Sequence, residues 1–420
     1  MTEPENPQAL IAAMGARARA AADALATTST DRKAAALERA AESLRHSGAA
    51  ILAANEEDMR RARNVGLSAA MLDRLRLDSV RLAGVADGIA AVAGLPDPVG
   101  RVIDATERPN GLKLSRVGVP IGVIGIIYES RPNVTADAAA LCVMAGNAVI
   151  LRGGSEARAS NAAINQALAA GLDAGGLPAD AVQLVPTVDR AAVGAMLAAD
   201  GVLDLVIPRG GKGLVARVQA EARVPVLAHL DGNNHVFVHA SADPNMAERI
   251  VLDAKLRRTG VCGAMETLLI DRGYPHGQAL MESLVRAGCE VRGDDEARAL
   301  APGMRAAGRE DWATEYLDAV AAAAVVDGVE GAAAHIARYG SHHTDAIVAE
   351  DAAAAERFLR AVDSAIVLWN ASTQFADGGE FGLGAEIGIA TGRLHARGPV
   401  ALEGLTTCKW IGRGMGQVRG

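Results

Sequence analysis

One cysteine of the sequence lies in a setting suited to nucleophilic chemistry. Cys262 occurs in the segment LRRTGVCGAMETL, between Gly260 and Gly263, with Arg257 and Arg258 shortly before it. Glycines let the backbone approach a ligand closely, and guanidinium groups near a thiol lower its pKa towards the reactive thiolate. An isolated cysteine is also often a small buried hydrophobic residue. On spacing alone, both interpretations of Cys262 stay open.

The other cysteines and a histidine pair carry weaker signals. Cys142 lies within the apolar run AALCVMAG, Cys289 closes a predicted helix, and the four cysteines form no CxxC pair. This pattern predicts neither a disulfide framework nor a zinc site. Because adjacent residues seldom point the same way and no carboxylate partner is evident, we expect His342 and His343 to be solvated or structural histidines. We therefore predict no metal.

Two glycine-rich turns and one asparagine follow predicted strands. The turns RGGSEA (152–157) and PRGGKG (208–213) each precede a helix, where backbone N–H groups and the helix dipole can receive a phosphate. Glycine also serves any tight turn, but two such turns favour a dinucleotide site. In YESRPNV, Asn133 follows a strand and Pro132, so its amide could donate to an oxyanion, although asparagine is also a common turn former.

The elements that must position these residues are predicted from periodicity. Apolar residues at helical spacing fill the first hundred positions. Short strands then alternate with Ala-rich helices, which is typical of a parallel sheet covered on both faces. A second alternation begins near Asp243, and a cleft between the two halves is the expected ligand site. The predicted strands lie at 122–129, 148–154, 182–186, 204–211, 224–230, 265–273, 317–326, 344–349 and 364–369.

Composition limits the class of protein. A chain of 420 residues exceeds one hydrophobic core, so two domains are expected. A formal charge of -8 and only 3% aromatic residues disfavour binding to nucleic acid and favour a small-molecule substrate. The acidic N-terminus does not resemble a signal peptide, and no segment has 18 uninterrupted apolar residues, so we expect a cytoplasmic protein with no membrane contact.

With these motifs assembled, the chain resembles the γ-glutamyl phosphate reductases, also called glutamate-5-semialdehyde dehydrogenases, a branch of the aldehyde dehydrogenase superfamily. The resemblance runs over nearly the whole length. Its most specific stretches are VGVPIGVIGIIYESRPNVTADAAALCVMAGNAVILRGGSEA, RRTGVCGAMETLL, YGSHHTDAIV and NASTQFADGGEFGLGAEIGIATGRLHARGPVALEGLTTCKW.

The resemblance implies an aldehyde dehydrogenase-like α/β fold with two doubly wound domains and a small β oligomerisation arm. The nucleotide-binding domain would comprise 1–100 and 119–240, the catalytic domain 241–385, and the arm 101–118 and 386–420. It also implies a homo-oligomer, either dimer or tetramer, and association with the glutamate 5-kinase that would supply a labile acyl phosphate.

Site residues carry over position by position. Cys262 falls at the family nucleophile, and Asn133 at the asparagine that completes the oxyanion hole with the nucleophile's backbone N–H. His395 and Arg397, in HARGP, resemble a signature close to either the substrate or the oligomer contact. The cofactor-binding positions implied by the resemblance are Arg152, Gly153, Ser155, Glu156, Gly210, Gly211 and Glu315.

The sequence departs from the superfamily in two places. Oxidising members carry a glutamate general base in an ELGG-type motif, whereas LDGNNHV here has Asn233 and Asn234. Because such a base activates water against the thioester, its absence fits a reductase that releases an aldehyde. Gly263 stands where many members have asparagine, which removes a side chain that could contact substrate.

The implied reaction is the NADPH-dependent reduction of L-glutamyl 5-phosphate to L-glutamate 5-semialdehyde and phosphate through a cysteine thioester, the second step of proline biosynthesis. Arg152 offers a cation for the cofactor 2′-phosphate. Three alternatives stay open: an acylating dehydrogenase that uses coenzyme A, a cysteine hydrolase or acyltransferase without a redox cofactor, and a nucleotide-binding regulatory protein without catalysis.

Overall fold

A computed structural model describes residues 6–301 and 303–419, with only the backbone of Ala70. The chain divides into two compact units. The first contains the chain up to Ala228, Gly382–Gly388 and the segment from Val400 onward, and the second contains His229–Phe381 and Ile389–Pro399. Among the described helices, none is both long and apolar enough to cross a lipid bilayer.

The first unit begins with helices and continues with a four-stranded parallel sheet. The strand order in this sheet is β5-β4-β3-β6. In chain order the elements are α1 (Pro7–Leu25), α2 (Thr30–His46), α3 (Gly48–Asn64), α4 (Ala69–Leu75), α5 (Ser79–Ala93), β1 (Val102–Glu107), β2 (Lys113–Pro120), β3 (Val123–Tyr128), α6 (Asn133–Met144), β4 (Ala148–Arg152), α7 (Arg158–Ala174), β5 (Val182–Leu184), α8 (Ala191–Leu197), β6 (Leu205–Arg209) and α9 (Lys212–Glu221).

The second unit is built around a larger parallel sheet, with strand order β10-β9-β11-β8-β7-β12-β13 in the described residues. A two-stranded antiparallel ribbon, β14 with β15, lies beside it in the chain. The elements are β7 (Asn234–Val238), α10 (Pro244–Leu256), β8 (Met265–Asp271), α11 (Gly277–Arg286), β9 (Glu290–Gly293), α12 (Asp295–Leu300), β10 (Arg305–Ala306), β11 (Val320–Val326), α13 (Gly328–Tyr339), β12 (Thr344–Val348), α14 (Ala352–Ala361), β13 (Ile366–Trp369), β14 (Ile389–Ala390) and β15 (Gly398–Pro399).

A third sheet, which is antiparallel, pairs a hairpin at 102–120 with a strand near the C-terminus. It has the order β1-β2-β16, where β16 is Thr406–Arg413. Every residue of β1 is exposed, and Trp410 on β16 is 59% exposed. The strands of this sheet lie in or next to the segments 101–118 and 386–420 that the resemblance implied for an arm, although Ile389–Pro399 belongs to the second unit. The role of the sheet as an oligomerisation arm stays a prediction.

Local sequence explains where the helices begin. Asp78, Asp243 and Asp351 cap α5, α10 and α14 with side-chain oxygens that accept backbone N–H groups of the first turn. Pro244 occupies the first position of α10, where its missing N–H costs no hydrogen bond. The central strands β3, β4, β7 and β8 are buried along their whole length, as expected for a parallel sheet covered on both faces.

The α/β fold predicted from the sequence is confirmed, with three local differences. The strand predicted at 224–230 is absent, and only an isolated bridge from Val226 to Val206 marks the segment. In the second unit, strands β7, β9 and β10 and the ribbon strands β14 and β15 were not predicted. Because β7 pairs with β8 and β12, the compact units divide at Ala228, before this strand, whereas the sequence prediction placed the boundary at 240.

Helices α2 and α7 of the first unit pack with their backbones in close contact. A Cβ added at Gly171 of α7 would lie 2.4 Å from the Cα of Ala40 on α2. Gly84 on α5 is also a helical glycine, yet a Cβ there would meet nothing within 4 Å. Only the first glycine is therefore required by packing.

Replacing these two glycines by alanine should have opposite effects. Gly171→Ala should destabilise the chain by about 1–3 kcal/mol, because the added methyl group forces α2 and α7 apart. Gly84→Ala should stabilise it by about 0.5–1 kcal/mol, because alanine restricts the unfolded chain. Urea unfolding of both variants measures the effects, and equal midpoints would contradict the close packing.

Candidate active site

Cys262 lies at the amino-terminal edge of the second unit's sheet. It belongs to the loop between α10 and β8, and it is half-buried. Cys142 and Cys289 are buried, and burial raises the pKa of both thiols, that of Cys289 to about 12. Cys408 is exposed on β16.

A buried asparagine fixes the backbone of the loop between α10 and β8, here called the nucleophile loop because Cys262 is the predicted nucleophile. The Asn234 amide nitrogen, at the start of β7, donates to the carbonyl oxygens of Cys262 at 2.7 Å and Ala264 at 2.8 Å. Its side-chain oxygen accepts the Thr344 backbone N–H at 3.1 Å. Asn234 is completely buried, so these bonds form without competition from water. Asn234 thus holds the loop in place.

Gly232 brings a second segment against the same loop. A Cβ at this position would lie 2.1 Å from the Cys262 carbonyl oxygen, so any larger residue would displace the loop. The Gly232 N–H donates to Glu315 Oε1 at 2.9 Å. Glu315, one of the predicted cofactor-binding residues, therefore lies in the second unit and accepts a hydrogen bond from Gly232. Gly232 in turn lies against the backbone of Cys262.

Gln374 holds the start of the loop. Its amide nitrogen donates to the carbonyl oxygens of Asp253 and Ala254, each at 3.0 Å. A Cβ added at Gly263 would lie 3.2 Å from the carbonyl oxygen of Thr373, which is a tight contact. The glycine that departs from the family pattern therefore lies where the loop packs against this segment.

A buried ion pair joins the two elements that flank the loop. Lys255 of α10 lies 2.5 Å from Glu266 of β8, and both side chains are completely buried. Burial raises the pKa of Glu266 to about 7, opposed by the Lys255 ammonium. Removing either partner would leave an uncompensated charge in the interior, so the pair fixes how α10 and β8 meet.

Two histidines approach Cys262. The ligand atoms of His229, Cys262 and His343 all lie within 4.8 Å of one another. The two rings pack edge to face, with centroids 5.1 Å apart. Burial lowers the pKa of His343 to about 3, with a further contribution from His229, so its imidazole is neutral. Its neighbour His342 is exposed and contacts the Asp363 carbonyl instead.

The side chain of Asn133 is engaged on its own helix. Asn133 is the first residue of α6, and its amide nitrogen donates to Asp137 Oδ2 at 2.8 Å. Burial raises the pKa of Asp137 to about 6. The pair spans one helical turn, which orients the amide at the carboxyl end of β3. The role of Asn133 in an oxyanion hole stays a prediction.

Six of the seven predicted cofactor-binding residues, all except Glu315, lie at or just after the carboxyl ends of β4 and β6 in the first unit. Arg152 donates to the carbonyl oxygens of Gly153 and Val188. Gly153 leaves no room for a Cβ, which would lie 2.0 Å from Asn161 Nδ2. Ser155 is exposed. These residues surround the end of one strand, as an adenosine site at this edge requires.

Two acidic side chains already bind this edge of the sheet. Glu156 accepts both the backbone N–H and the hydroxyl of Ser130, at 2.6 and 2.7 Å. The Gly211 N–H donates to Glu129 at 2.9 Å, and a Cβ at Gly210 would clash with the same carboxylate. The turn predicted to receive a phosphate therefore holds a carboxylate at its Gly211 N–H in this structure.

Two further arginines contribute positive charge at Arg152. Burial lowers the pKa of the Arg152 guanidinium, and the charges of Arg190 and Arg217 lower it further. Arg152 Nε is buried and has no hydrogen-bond partner among the described residues. The sequence analysis did not single out Arg190 or Arg217, because no spacing relates them to the RGGSEA turn.

The HARGP segment is tied to one aspartate in the second unit. Arg397 donates to Asp363 Oδ1 at 2.6 Å and to its carbonyl oxygen at 2.9 Å, and Arg393 also pairs with this carboxylate. These contacts hold the pKa of Asp363 below its usual range. His395 is exposed, with a positive φ of 60°. Substrate binding by His395 and Arg397 stays a prediction.

Comparison with known proteins establishes the family. The sequence profile of the aldehyde dehydrogenase family matches residues 2–323. The chain belongs to the aldehyde dehydrogenase family. Membership makes it an oxidoreductase and implies a nicotinamide cofactor.

Several members of this family are similar to the chain over almost its entire length. A γ-glutamyl phosphate reductase from Sphingopyxis alaskensis is 69% identical over 416 residues, covering 99% of this chain and 97% of the relative. One from Rhizorhabdus wittichii is 67% identical, covering 98% and 96%. The crystal structure of a γ-glutamyl phosphate reductase from Thermotoga maritima has a TM-score of 0.95 and 42% identity, covering 98% of this chain and 100% of that chain. The resemblance predicted from the sequence is confirmed.

The position of this aldehyde dehydrogenase family member's two asparagines can now be explained in physical terms. Asn233 donates to the carbonyl oxygens of Trp312 and Tyr339, as Asn234 does to those of Cys262 and Ala264. Both tasks require N–H donors, which a carboxylate lacks. The sequence indicated only that the glutamate is absent, whereas the structure shows what the amides do instead.

Replacing the Asn234 amide by a carboxylate should loosen the nucleophile loop. Asn234→Asp places acceptor oxygens against two carbonyl oxygens and should cost about 2–4 kcal/mol of stability. Hydrogen–deuterium exchange should become faster at 257–264. Asn245→Asp, at an exposed position in the first turn of α10, is the control and should leave exchange unchanged. Equal protection of the loop in both variants would refute the role of Asn234.

Proposed function

We propose that the chain reduces L-glutamyl 5-phosphate to L-glutamate 5-semialdehyde and phosphate, with NADPH as the reductant, as the second step of proline biosynthesis. The observation that carries the proposal is the 69% identity to a γ-glutamyl phosphate reductase over 99% of the chain. A half-buried cysteine on a loop fixed by buried side chains supports it.

In the proposed reaction, the Cys262 thiolate attacks the acyl carbon of the substrate. The carbon–sulfur bond of a thioester forms, the bond from that carbon to the phosphate oxygen breaks, and phosphate leaves. The backbone N–H of Cys262 and, following the resemblance, the Asn133 amide would stabilise the negative charge on the acyl oxygen. When the thioester has been reduced, the carbon–sulfur bond breaks, which releases the aldehyde and restores the thiolate.

The buried asparagines of the second unit cannot act as general bases, which would protect the thioester from water. Asn234 reaches the backbone of Cys262, but an amide cannot take a proton from water. Without a general base at this position, water attacks a thioester slowly. The absence of a glutamate base therefore removes one route of thioester hydrolysis, which suits a reductase.

The residues at the end of β4 fit a phosphorylated nicotinamide cofactor. When bound, the cofactor supplies the hydride that reduces the thioester. The positive charges of Arg152, Arg190 and Arg217 influence one another, and the buried Arg152 Nε lacks a partner among the described residues. Such a cluster suits a 2′-phosphate, which carries negative charge and accepts several hydrogen bonds. Gly153, Ser155, Glu156, Gly210 and Gly211 are the other residues of the first unit proposed to bind the cofactor, and Glu315 is the one proposed in the second unit.

We also infer a homo-oligomer formed through the β1-β2-β16 sheet. Its β1 strand is exposed along its whole length, including Val102 and Ile103, and an exposed edge strand readily pairs with another chain. Association with glutamate 5-kinase and a cytoplasmic location belong to the same proposal, because an acyl phosphate is labile and must reach the reductase quickly.

Reverse turnover tests the nucleophile and the acyl acceptor together. Reduction of NADP⁺ by glutamate 5-semialdehyde should require phosphate, and Cys262→Ser should lower kcat/KM by about 10³-fold or more. Cys408→Ser, at an exposed cysteine, is the matched control and should behave as wild type. Turnover with coenzyme A in place of phosphate would favour the other acylating class. Ester hydrolysis without a nicotinamide would favour a hydrolase, and cofactor binding without turnover a regulatory protein.

Cofactor choice should depend on the arginine cluster. Arg190→Ala should raise KM for NADPH by about 3- to 10-fold and leave KM for NADH unchanged, because one charge near the 2′-phosphate is lost. Arg39→Ala, an exposed arginine on α2, is the control. Steady-state kinetics with both cofactors measure the effect. An equal rise in KM for NADH would exclude recognition of the 2′-phosphate by this cluster.

A further inference from the structure

Three side chains with metal-binding atoms meet at the nucleophile in the second unit. His229 precedes β7, Cys262 precedes β8 and His343 precedes β12. These strands are neighbours in the order β8-β7-β12, so their amino ends bring the three residues together. Their ligand atoms lie within 4.8 Å of one another. The cluster therefore follows from the sheet itself.

Both imidazoles are held through the same ring nitrogen. His229 Nδ1 lies 2.7 Å from the Ile389 carbonyl oxygen, which can only accept, so Nδ1 carries the proton. His343 Nδ1 lies 2.9 Å from Thr344 Oγ1. Nε2 is therefore the nitrogen of His229 that can coordinate. In His343, Nε2 can coordinate in the tautomer whose Nδ1 donates to the Thr344 hydroxyl. Metal-binding histidines are commonly oriented in this way, with the other ring nitrogen bonded to a protein oxygen.

The His343 ring carries an unsatisfied polar atom. Its side chain is completely buried, and Nε2 has no hydrogen-bond partner among the described residues. A buried polar atom without a partner costs free energy, and such an atom in a native structure calls for a ligand or another explanation. This atom belongs to the same cluster as the Cys262 thiol.

We propose that His229, Cys262 and His343 form a binding site for Zn²⁺ or a divalent ion of similar preference, and that occupancy blocks the nucleophile. Binding converts the thiol to a metal-bound thiolate, and its proton passes to solvent. The fourth position of the tetrahedron holds water, as in sites with three protein ligands. The sequence analysis predicted no metal at His342 and His343, and this proposal differs from that prediction at His343.

The donor set and its dimensions favour zinc. Zinc bonds of 2.0–2.3 Å place tetrahedral donors about 3.3–3.6 Å apart, so a contraction of about 1 Å from the present spacing closes the site. Cys262 lies on a loop and is half-buried, which leaves its side chain room to rotate. The cluster contains no carboxylate, so Mg²⁺ and Ca²⁺, which prefer oxygen ligands, should not compete.

Cobalt substitution tests the site directly. Co²⁺ added to the chelator-treated full chain should bind with one-to-one stoichiometry, give a thiolate-to-cobalt charge-transfer band in the near ultraviolet, and be displaced by Zn²⁺. The band should disappear in Cys262→Ser. His343→Gln and His229→Gln should each weaken binding by about 100-fold or more. His342→Gln, at the exposed neighbouring histidine, is the matched control and should bind as wild type.

Three results would overturn the proposal. They are binding without a thiolate band, unchanged affinity in Cys262→Ser, and equal affinities in the His342 and His343 variants. Circular dichroism establishes that each variant is folded. If His343→Gln does not fold, His229→Gln, at a half-buried position, decides the outcome against the same control.

A chemical test separates this site from the proposed activity. Zn²⁺ should slow alkylation of Cys262 by iodoacetamide at least 10-fold in wild type and in His342→Gln, but not in His229→Gln, and a chelator should restore the rate. Unchanged alkylation in the presence of Zn²⁺ would refute the site. Inhibition of phosphate-dependent turnover rests on the proposed function. Protection of Cys262 without any turnover in the metal-free wild type would therefore refute that function and leave the site intact.

Discussion

The second unit depends on holding the carbonyl oxygens of a short loop inside the protein. A loop at a sheet edge has no regular hydrogen-bond pattern, so its buried polar groups need partners from elsewhere. Asn234 supplies two donors to the backbone on either side of Gly263, and Gln374 supplies donors to the end of α10. These bonds fix the backbone at Cys262 and so the direction in which its side chain projects.

The same constraint determines the residues around the loop. Gly232 must be glycine because the Cys262 carbonyl lies against it, and its N–H in turn holds Glu315. The Lys255–Glu266 pair joins α10 to β8 without access to water. A buried pair of this kind contributes little net stability but strongly disfavours any arrangement that separates its charges. It therefore keeps the loop in one geometry.

The predicted and proposed site residues follow the strands in the first unit and precede them in the second. In the first unit, Asn133, Arg152 and Gly210 follow the carboxyl ends of β3, β4 and β6, where ligand sites of open α/β sheets usually lie. In the second unit, Cys262 and His343 precede β8 and β12 and so lie at the amino edge. A search confined to carboxyl ends would find the first set and miss the second.

The sequence by itself determined the alternation of helices and strands, since apolar periodicity and capping residues act over a few neighbouring positions. It also singled out Cys262, through its glycine neighbours and through the resemblance to a family. It gave the wrong result at 224–230, where an apolar run that forms only one isolated bridge resembles a strand. It also did not predict β7, which begins at the polar residue Asn234.

Only the tertiary structure decided what surrounds Cys262, the predicted nucleophile. His229 and His343 are far apart in the sequence, and no spacing relates either to Cys262; the strand order β8-β7-β12 brings them together. The adjacent histidines also differ in burial: His343 faces the interior, whereas His342 faces solvent. Local sequence fixes the type of each element, whereas contacts between distant residues depend on how the elements pack.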